Sequence, residues 1–389
     1  MDTQNKGIPT YIFYRALKKY NRNNYYLQLL LYIIFLGIYC GLNLSLKNTH
    51  YAYEQNNAIY NWLIDEEFVT TVDNDGEFNG PLFKRTFPDI GNYEEFWQFL
   101  EGPLYGGIFV DSWYNGEKYD NSHLYSLLQY NKIIGSIELR QVRVKNKSCK
   151  TSIYDKRNDK YCFGFYNKKN RFTDKFKGIE FKDNLSLWPG NPKYYNNYYR
   201  DGFVEYIPLN KTLALKKINE LKNNKWIDRS TRAISINMNV YNKNSKLLTI
   251  VRLQIEFLMS GKVDASYKLY TIPSEIYKNN IELRLTFEII FCILLLYYIF
   301  VEYKEMRHDQ SILMYFLNLW NIVECTNLGL YVFTIGSYIY WLTLPKTQFY
   351  TYVINKNNYS DIYDVAVWYN YINIMSAVNC CFGFIKIFK

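Results

Sequence analysis

Four oxygen-bearing side chains at two helical repeats are the first candidates for chemistry in this chain. Glu302 and Glu305 stand three residues apart, and so do Asn321 and Glu324. That spacing puts each pair on one helical face. If the two faces adjoin, three carboxylates and one amide oxygen converge, a hard-oxygen set suited to Ca²⁺. Acids at membrane depth are costly and are usually paired. The same groups therefore have a second reading, as countercharges for Lys386 and Lys389, which also share a helical face. The two lysines are in turn either charges that sense membrane potential, at about 2.3 kcal/mol per charge for about 100 mV, or ordinary basic residues flanking the cytosolic end of a span.

Other constellations say less. Asp73-Asn74-Asp75-Gly76 has the start of a calcium loop, but Leu82 stands where its closing acid belongs, so the tetrapeptide reads as a turn. His50, His123 and His308 are scattered, and no nucleophile elbow, phosphate loop or zinc-helix motif occurs. An enzyme is not expected. Of the seven cysteines, Cys40, Cys292, Cys325, Cys380 and Cys381 fall in or beside apolar segments, leaving Cys149 and Cys162 in the polar middle. That pair reads as a disulfide if it faces away from the cytosol, with free thiols or a two-ligand metal site as alternatives. Glycosylation sequons occur at Asn43, Asn146, Asn184, Asn210 and Asn358, of which Asn43 adjoins an apolar run. Arg140, Arg143 and Arg232 with Asp228 read as structural ion pairs, and Trp113 and Trp226 as core.

Four apolar segments and one long polar insert must position these groups. Lys6, Arg15, Lys18, Lys19 and Arg22 precede an uncharged run from Tyr26 to Leu44. About 20 such residues cross a bilayer, and the cations before them place residues 1–24 in the cytosol. Residues 25–45 are then a first membrane helix, acting as a signal anchor. Residues 46–280 are expected outside the cytosol. Further spans are expected at about 283–302, 317–341 and 367–388, giving four crossings with both ends inside. Within the insert, Ile234, Ile236, Met238 and Val240 alternate with polar residues, and after residues 242–246 Val251, Leu253, Ile255 and Phe257 do so again. A period of two means two antiparallel strands with one dry face and one wet face. Ile137, Leu139, Val142 and Val144 form another strand whose apolar phase slips between 139 and 142, suggesting a bulge or a change of neighbour. Short helices are expected at Asn56–Leu63, Tyr93–Leu100 and Thr212–Leu221, and a sharp glycine loop at Gly102–Gly107. The net charge of +10 is spread among the 41 Tyr and the asparagines rather than clustered, and no nucleic-acid motif accompanies it. The partner expected is the lipid bilayer, not nucleic acid.

Several strings resemble the polycystin family of cation channels, its polycystin-2 branch in particular. They are EGPLYGGIFVDSWYNGE (Glu101–Glu117), IGSIELRQVRVKNKSC (Ile134–Cys149), KWIDRSTRAISINMNVYN (Lys225–Asn242) and VRLQIEF (Val251–Phe257), continued in the apolar part by YYIFVEYKEMRHD (Tyr297–Asp309), WNIVE (Trp320–Glu324) and IKIFK (Ile385–Lys389). The resemblance implies a voltage-sensor-like helical bundle with an inserted extracytosolic α+β polycystin (TOP) domain on an antiparallel sheet. It implies assembly into homo- or hetero-tetramers with other polycystin subunits, and a non-selective, calcium-permeable channel of the ciliary, plasma or reticulum membrane. It places the family's disulfide at Cys149 and Cys162, where closing a loop of about 14 residues stabilises by about 3 kcal/mol. Related channels of other branches hold Ca²⁺ at the positions of Glu302, Glu305, Asn321 and Glu324, although Glu324 replaces the usual Asp. No other cofactor is implied. In the family two more helices and a pore loop follow IKIFK. The expectation is thus the pore-less N-terminal part of a channel, the alternative a regulatory or receptor subunit that joins full-length polycystins.

Overall fold

The computed structural model describes residues 10–47, 49–70, 83–113, 115–120, 126–149, 161–183, 194–195, 198–199, 201–274, 281–308, 311–343 and 359–387. In chain order, α1 (Thr10–Lys47) is followed by α2 (Thr49–Leu63), the strand pair β1 (Phe68–Thr70) and β2 (Phe83–Arg85), and helices α3 (Tyr93–Phe99) and α4 (Tyr105–Ile108). Strands β3 (Ser126–Leu127), β4 (Asn131–Arg143), β5 (Phe181–Lys182), β6 (Tyr194–Tyr195), β7 (Tyr198–Tyr199) and β8 (Gly202–Ile207) lead to α5 (Lys211–Asn223). The long strands β9 (Thr231–Asn242), β10 (Leu247–Phe257) and β11 (Val263–Pro273) come next. Helices α6 (Ile281–His308), α7 (Ile312–Phe316), α8 (Leu319–Thr343) and α9 (Tyr363–Lys386) complete the order.

The chain divides into two compact units. Thr49–Glu275 joins Trp341–Tyr369 in a sheet unit; Met1–Asn48, Ile276–Tyr340 and Asn370–Lys389 form a helical unit.

The sheet unit is built on β11-β10-β9-β4-β8-β5, all antiparallel, with β3 also paired to β4. The alternating residues of the predicted hairpin are its centre, β9 against β10 in unbroken register from Asn242↔Leu247 to Ala233↔Glu256. On its apolar face Ile234, Ile236, Met238, Val240, Val251, Leu253 and Ile255 pack with Ile59 and Leu63 of α2, Phe96 and Phe99 of α3, and Ile218 and Leu221 of α5. Each fully buried aliphatic of this kind contributes about 1.5–3 kcal/mol. Strand β4 is irregular, but not between 139 and 142 where its apolar phase slips: its register against β9 is continuous from Glu138 to Val142 and shifts between Ile134 and Glu138 and again at Val142/Arg143.

Two expectations fail here. Residues 102–107 are not an open loop: α3 runs through a π-turn at Leu100–Leu104 directly into α4. Gly107 is needed because a Cβ there would fall on the Trp62 indole, so the glycines serve close packing rather than a chain reversal. The second face of the sheet is not wet either. Asn237, Asn239, Arg252 and Gln254 are all buried. A polar strip looks solvent-facing in sequence, but here it is covered by hydrogen-bonding segments from elsewhere in the chain: Asn239 Nδ2 donates to Ser360 O at 2.9 Å, and Arg252 Nη2 to Asp361 Oδ1 at 2.5 Å.

The helical unit has a small aromatic core. Tyr32, Phe35 and Tyr39 of α1 meet Phe291 and Leu295 of α6 and Tyr331 of α8. Phe35 stacks on Phe291 with centroids 5.1 Å apart, and Tyr39 meets Tyr331 edge-on at 4.7 Å. Leu283, Ile289, Ile293, Leu296 and Phe300 of α6 face outward, as expected of a helix whose surroundings are hydrocarbon. Among the described residues three segments are long and apolar enough to cross a membrane: Leu17–Leu63, Ile281–His308 and Leu319–Thr343. The fourth predicted span is helical over Tyr363–Lys386 but is not among the three, because Asn370, Asn373 and Asn379 dilute its apolar content.

Candidate cation site

The acidic cluster is assembled by the ends of three helices. Glu302 and Glu305 lie on the last two turns of α6, and Asn321 and Glu324 on the first two turns of α8. The link between them is ordered by Ser311, which caps α7 by accepting from Leu313 N. This cap swings Tyr315 inward, where its hydroxyl donates to Glu302. Asn321 Nδ2 donates to Tyr315 O at 3.0 Å. The amide oxygen of Asn321 is thereby left as its available acceptor.

Carboxylate oxygens of Glu302, Glu305 and Glu324 all lie within 4.8 Å of one another, Glu302 and Glu324 buried and Glu305 exposed. From α9, Lys386 Nζ reaches Glu324 Oε1 at 3.1 Å and sits over the rings of Tyr32 and Tyr298 at 5.1 and 5.3 Å. Three carboxylates against one ammonium leave a formal charge of −2, enough to hold a divalent cation. The donor chemistry fits a hard ion such as Ca²⁺. It also provides the countercharge for Lys386, which occupies Glu324 in this arrangement. Lys389 lies outside the described residues.

Tyr315 and Ser311 were not singled out in the sequence. The available signal was the Ser-Ile-Leu opening of a short helix, a recognisable N-cap.

In the sheet unit Cys149 and Cys162 are joined in a disulfide. The two limbs of its loop are tied beside it by Ser148 N to Cys162 O (3.1 Å), Cys162 N to Asn146 Oδ1 (3.2 Å) and Gly164 N to Ser148 Oγ (2.8 Å). Arg232 anchors the returning limb by donating to Phe163 O and Gly164 O at 2.8 and 3.2 Å. Its burial lowers its pKa from the ordinary arginine value. The structure therefore gives Arg232 backbone carbonyls as partners, while Arg143 takes Asp228 at 2.5 Å and Arg140 pairs with Glu138 at 3.0 Å. Arg171 with Asp201, absent from the sequence reading, is a further pair. Trp226 is buried in the core; Trp113 is half-buried and edges against Tyr119.

Of the sequons, Asn146 and Asn210 are exposed. Asn210 is also the N-cap of α5, accepting from Leu213 N at 3.1 Å. Asn184 and Asn358 lie outside the described residues.

One further contact set falls on the second face of the sheet. Asp361 accepts from Arg252 and from Tyr363 N (3.1 Å), so it caps the start of α9 while gripping β10. Arg252 also lies over the Tyr363 ring at 3.8 Å.

Residues 86–273 match the polycystin domain and residues 276–389 the polycystin cation channel family. Among similar curated proteins, polycystin-2-like protein 2 of Mus musculus is 30% identical over 370 residues, covering 93% of this chain and 57% of the relative. The Homo sapiens protein of that name is 29% identical with the same coverage. Polycystin-2 of Danio rerio is 28% identical over 374 residues, 93% of this chain and 39% of the relative. The chain thus spans little more than half the length of the two polycystin-2-like relatives.

Proposed function

Because the chain belongs to the polycystin cation channel family and is a multi-pass membrane protein, we propose that it forms part of a non-selective, calcium-permeable polycystin-type channel. In this reading the sheet unit faces away from the cytosol and builds a tetrameric collar with neighbouring polycystin subunits. Helices α1, α6, α8 and α9 form a sensor-like bundle in which α9 is a fourth crossing. At 1.5 Å per residue its 24 residues reach about 36 Å, enough for the hydrocarbon core. The single observation that carries the reading is the ion pair of Lys386 with Glu324 beside Glu302 and Glu305. It puts a basic residue of α9 against acids on another helix of the bundle, the arrangement a voltage-responsive helix requires.

The acidic cluster then has two alternative occupants. Lys386 holds Glu324 in one state; Ca²⁺, bound by Glu302, Glu305, Glu324 and Asn321, takes its place in the other. The measurement is ⁴⁵Ca²⁺ binding to the purified chain. Binding should be lost in the double variant Glu302→Gln, Glu324→Gln and tightened in Lys386→Gln. Binding that survives the double substitution eliminates the site. For the channel itself, the chain is co-expressed with a full-length polycystin-2-like subunit and the complex weighed by native mass spectrometry. Four copies in total, with currents whose voltage dependence shifts in Lys386→Gln, support the proposal. A chain that stays monomeric and leaves the currents unaltered defeats it.

A further inference from the structure

Two cysteines far apart in sequence stand side by side in the helical unit. Cys40 Sγ of α1 and Cys380 Sγ of α9 are 3.9 Å apart, sulfur in contact with sulfur. Two further contacts, both on the N-terminal side of Cys40 along α1 and on either side of Cys380 along α9, hold the helices in register. Tyr39 hydroxyl donates to Ser376 O at 3.5 Å, and Tyr32 hydroxyl donates to Gly383 O at 2.8 Å. From Tyr39 to Tyr32 is seven residues back along α1, and from Ser376 to Gly383 is seven residues forward along α9, so the helices run antiparallel without slippage. Gly383 permits the close approach, since a Cβ there would come within 2.8 Å of Leu36 Cδ1. The thiols are thus presented to each other by a clamped interface rather than by chance.

We propose that Cys40 and Cys380 are a redox modification site, at which an organic hydroperoxide of the lipid phase welds α1 to α9. One thiolate attacks the peroxide O–O bond, giving a sulfenic acid and releasing the alcohol. The second thiolate attacks the sulfenic sulfur, forming the S–S bond and expelling hydroxide, which leaves as water with the thiol proton. In total two thiols and one hydroperoxide become one disulfide, one alcohol and one water, the two electrons passing from sulfur to oxygen. The required movement is the closure from 3.9 Å to a bond of about 2 Å, which side-chain rotation and a small approach of the helices supply. Cys381, the next residue, is exposed and about 100° round the helix, so it is the built-in control. The inference depends only on the packing of α1 against α9 and not on the channel reading.

The test uses the full chain in membranes with a protease site inserted between residues 344 and 358. After treatment with tert-butyl hydroperoxide and alkylation of remaining thiols, the chain is cut and run without reductant. The bond between Cys149 and Cys162 lies wholly in the N-terminal fragment and cannot hold the two fragments together. Most of the C-terminal fragment should stay attached, be released by dithiothreitol, and be lost from attachment in both Cys40→Ser and Cys380→Ser, while Cys381→Ser behaves as the parent. Fragments that separate at every peroxide dose, with the Cys149–Cys162 bond intact as proof of folding, overturn the proposal. So does a linkage that persists in Cys40→Ser.

Discussion

The sheet unit and the helical unit solve the same packing problem in opposite solvents. The sheet unit gathers aliphatic and aromatic residues from two layers into one continuous core, and hides them from water. Its second face is polar yet buried, and holds together through specific pairs: Asn237 Nδ2 to Glu138 at 2.9 Å, Gln254 Nε2 to Glu256 at 2.6 Å, Arg252 to Asp361. Among the described residues the helical unit's main cluster holds six buried core residues, and large apolar side chains such as Ile293, Leu296 and Phe300 lie on its surface. Lipid removes most of the gain from hiding apolar area, so aromatic fit and a few polar contacts must fix helix register instead. The difference teaches that a buried polar residue is a covering contact in one unit and a register pin in the other.

The largest expected effect separates the two regimes. Trp226 is buried under the sheet core, and its carbonyl accepts from Gln141 Nε2 at 2.8 Å. Trp226→Ala should destabilise the sheet unit by about 3–5 kcal/mol. Phe35→Ala, which removes an equally buried ring from the helical unit, should cost clearly less, because its unfolded reference is already in lipid. Hydrogen exchange resolved by peptide reads each unit separately in detergent micelles. Equal losses would erase the distinction.

Next comes the cross-link. Replacing both Cys149 and Cys162 by serine frees a loop with a sequence separation of 13 and should lower the sheet unit's stability by about 3 kcal/mol, leaving exchange in α6 and α8 unaltered. Below it stands the clamp at the sheet's second face. Asp361→Asn removes the charged acceptor from buried Arg252 and should cost about 1.5–3 kcal/mol. Thermal unfolding followed by circular dichroism checks both, and an Asp361→Asn protein as stable as the parent would mean that the Arg252–Asp361 pair does not hold the strip.

These sites also mark how far the sequence could be read. The β9–β10 hairpin announces itself because Ile234–Val240 and Val251–Phe257 alternate cleanly, and α6 and α8 because their apolar runs have membrane length. Strand β11 does not, since Tyr267, Lys268, Tyr270 and Thr271 blur the contrast between its faces. The buried second face was unreadable for a deeper reason: Arg252 and Asp361 are 109 residues apart, and nothing local tells a covered asparagine from a wet one. In the candidate site the helical spacing revealed Glu302, Glu305, Asn321 and Glu324, whereas Tyr315 reaches Glu302 only through the turn that Ser311 caps. Side chains that share a helix face are legible from periodicity; those brought in by a connecting turn are not.

The smallest effect is a proton effect, and it belongs to the sheet unit alone. Asp89 accepts from Thr86 Oγ1 at 2.7 Å and from Thr86 N at 3.2 Å. These hydrogen bonds favour the carboxylate and lower its pKa, with nearby Arg85 a minor contribution in the same direction. A depressed folded-state pKa means that the unfolded chain takes up the proton first as pH falls. The stabilisation from this contact is therefore complete above the unfolded carboxylate value, about 3.9, and disappears as pH drops through the folded one. Asp89 is largely exposed, so solvent screens the effect and the slope should be slight. Acid titration of sheet-unit stability should show a shallow component below about pH 4 that Asp89→Asn removes, while the helical unit's profile over the same range does not respond to the substitution. If Asp89→Asn leaves the acid limb of the sheet unit superimposable on that of the parent, Thr86 is not holding the charge, and the capped turn before α3 owes its shape to the burial of Phe87 instead.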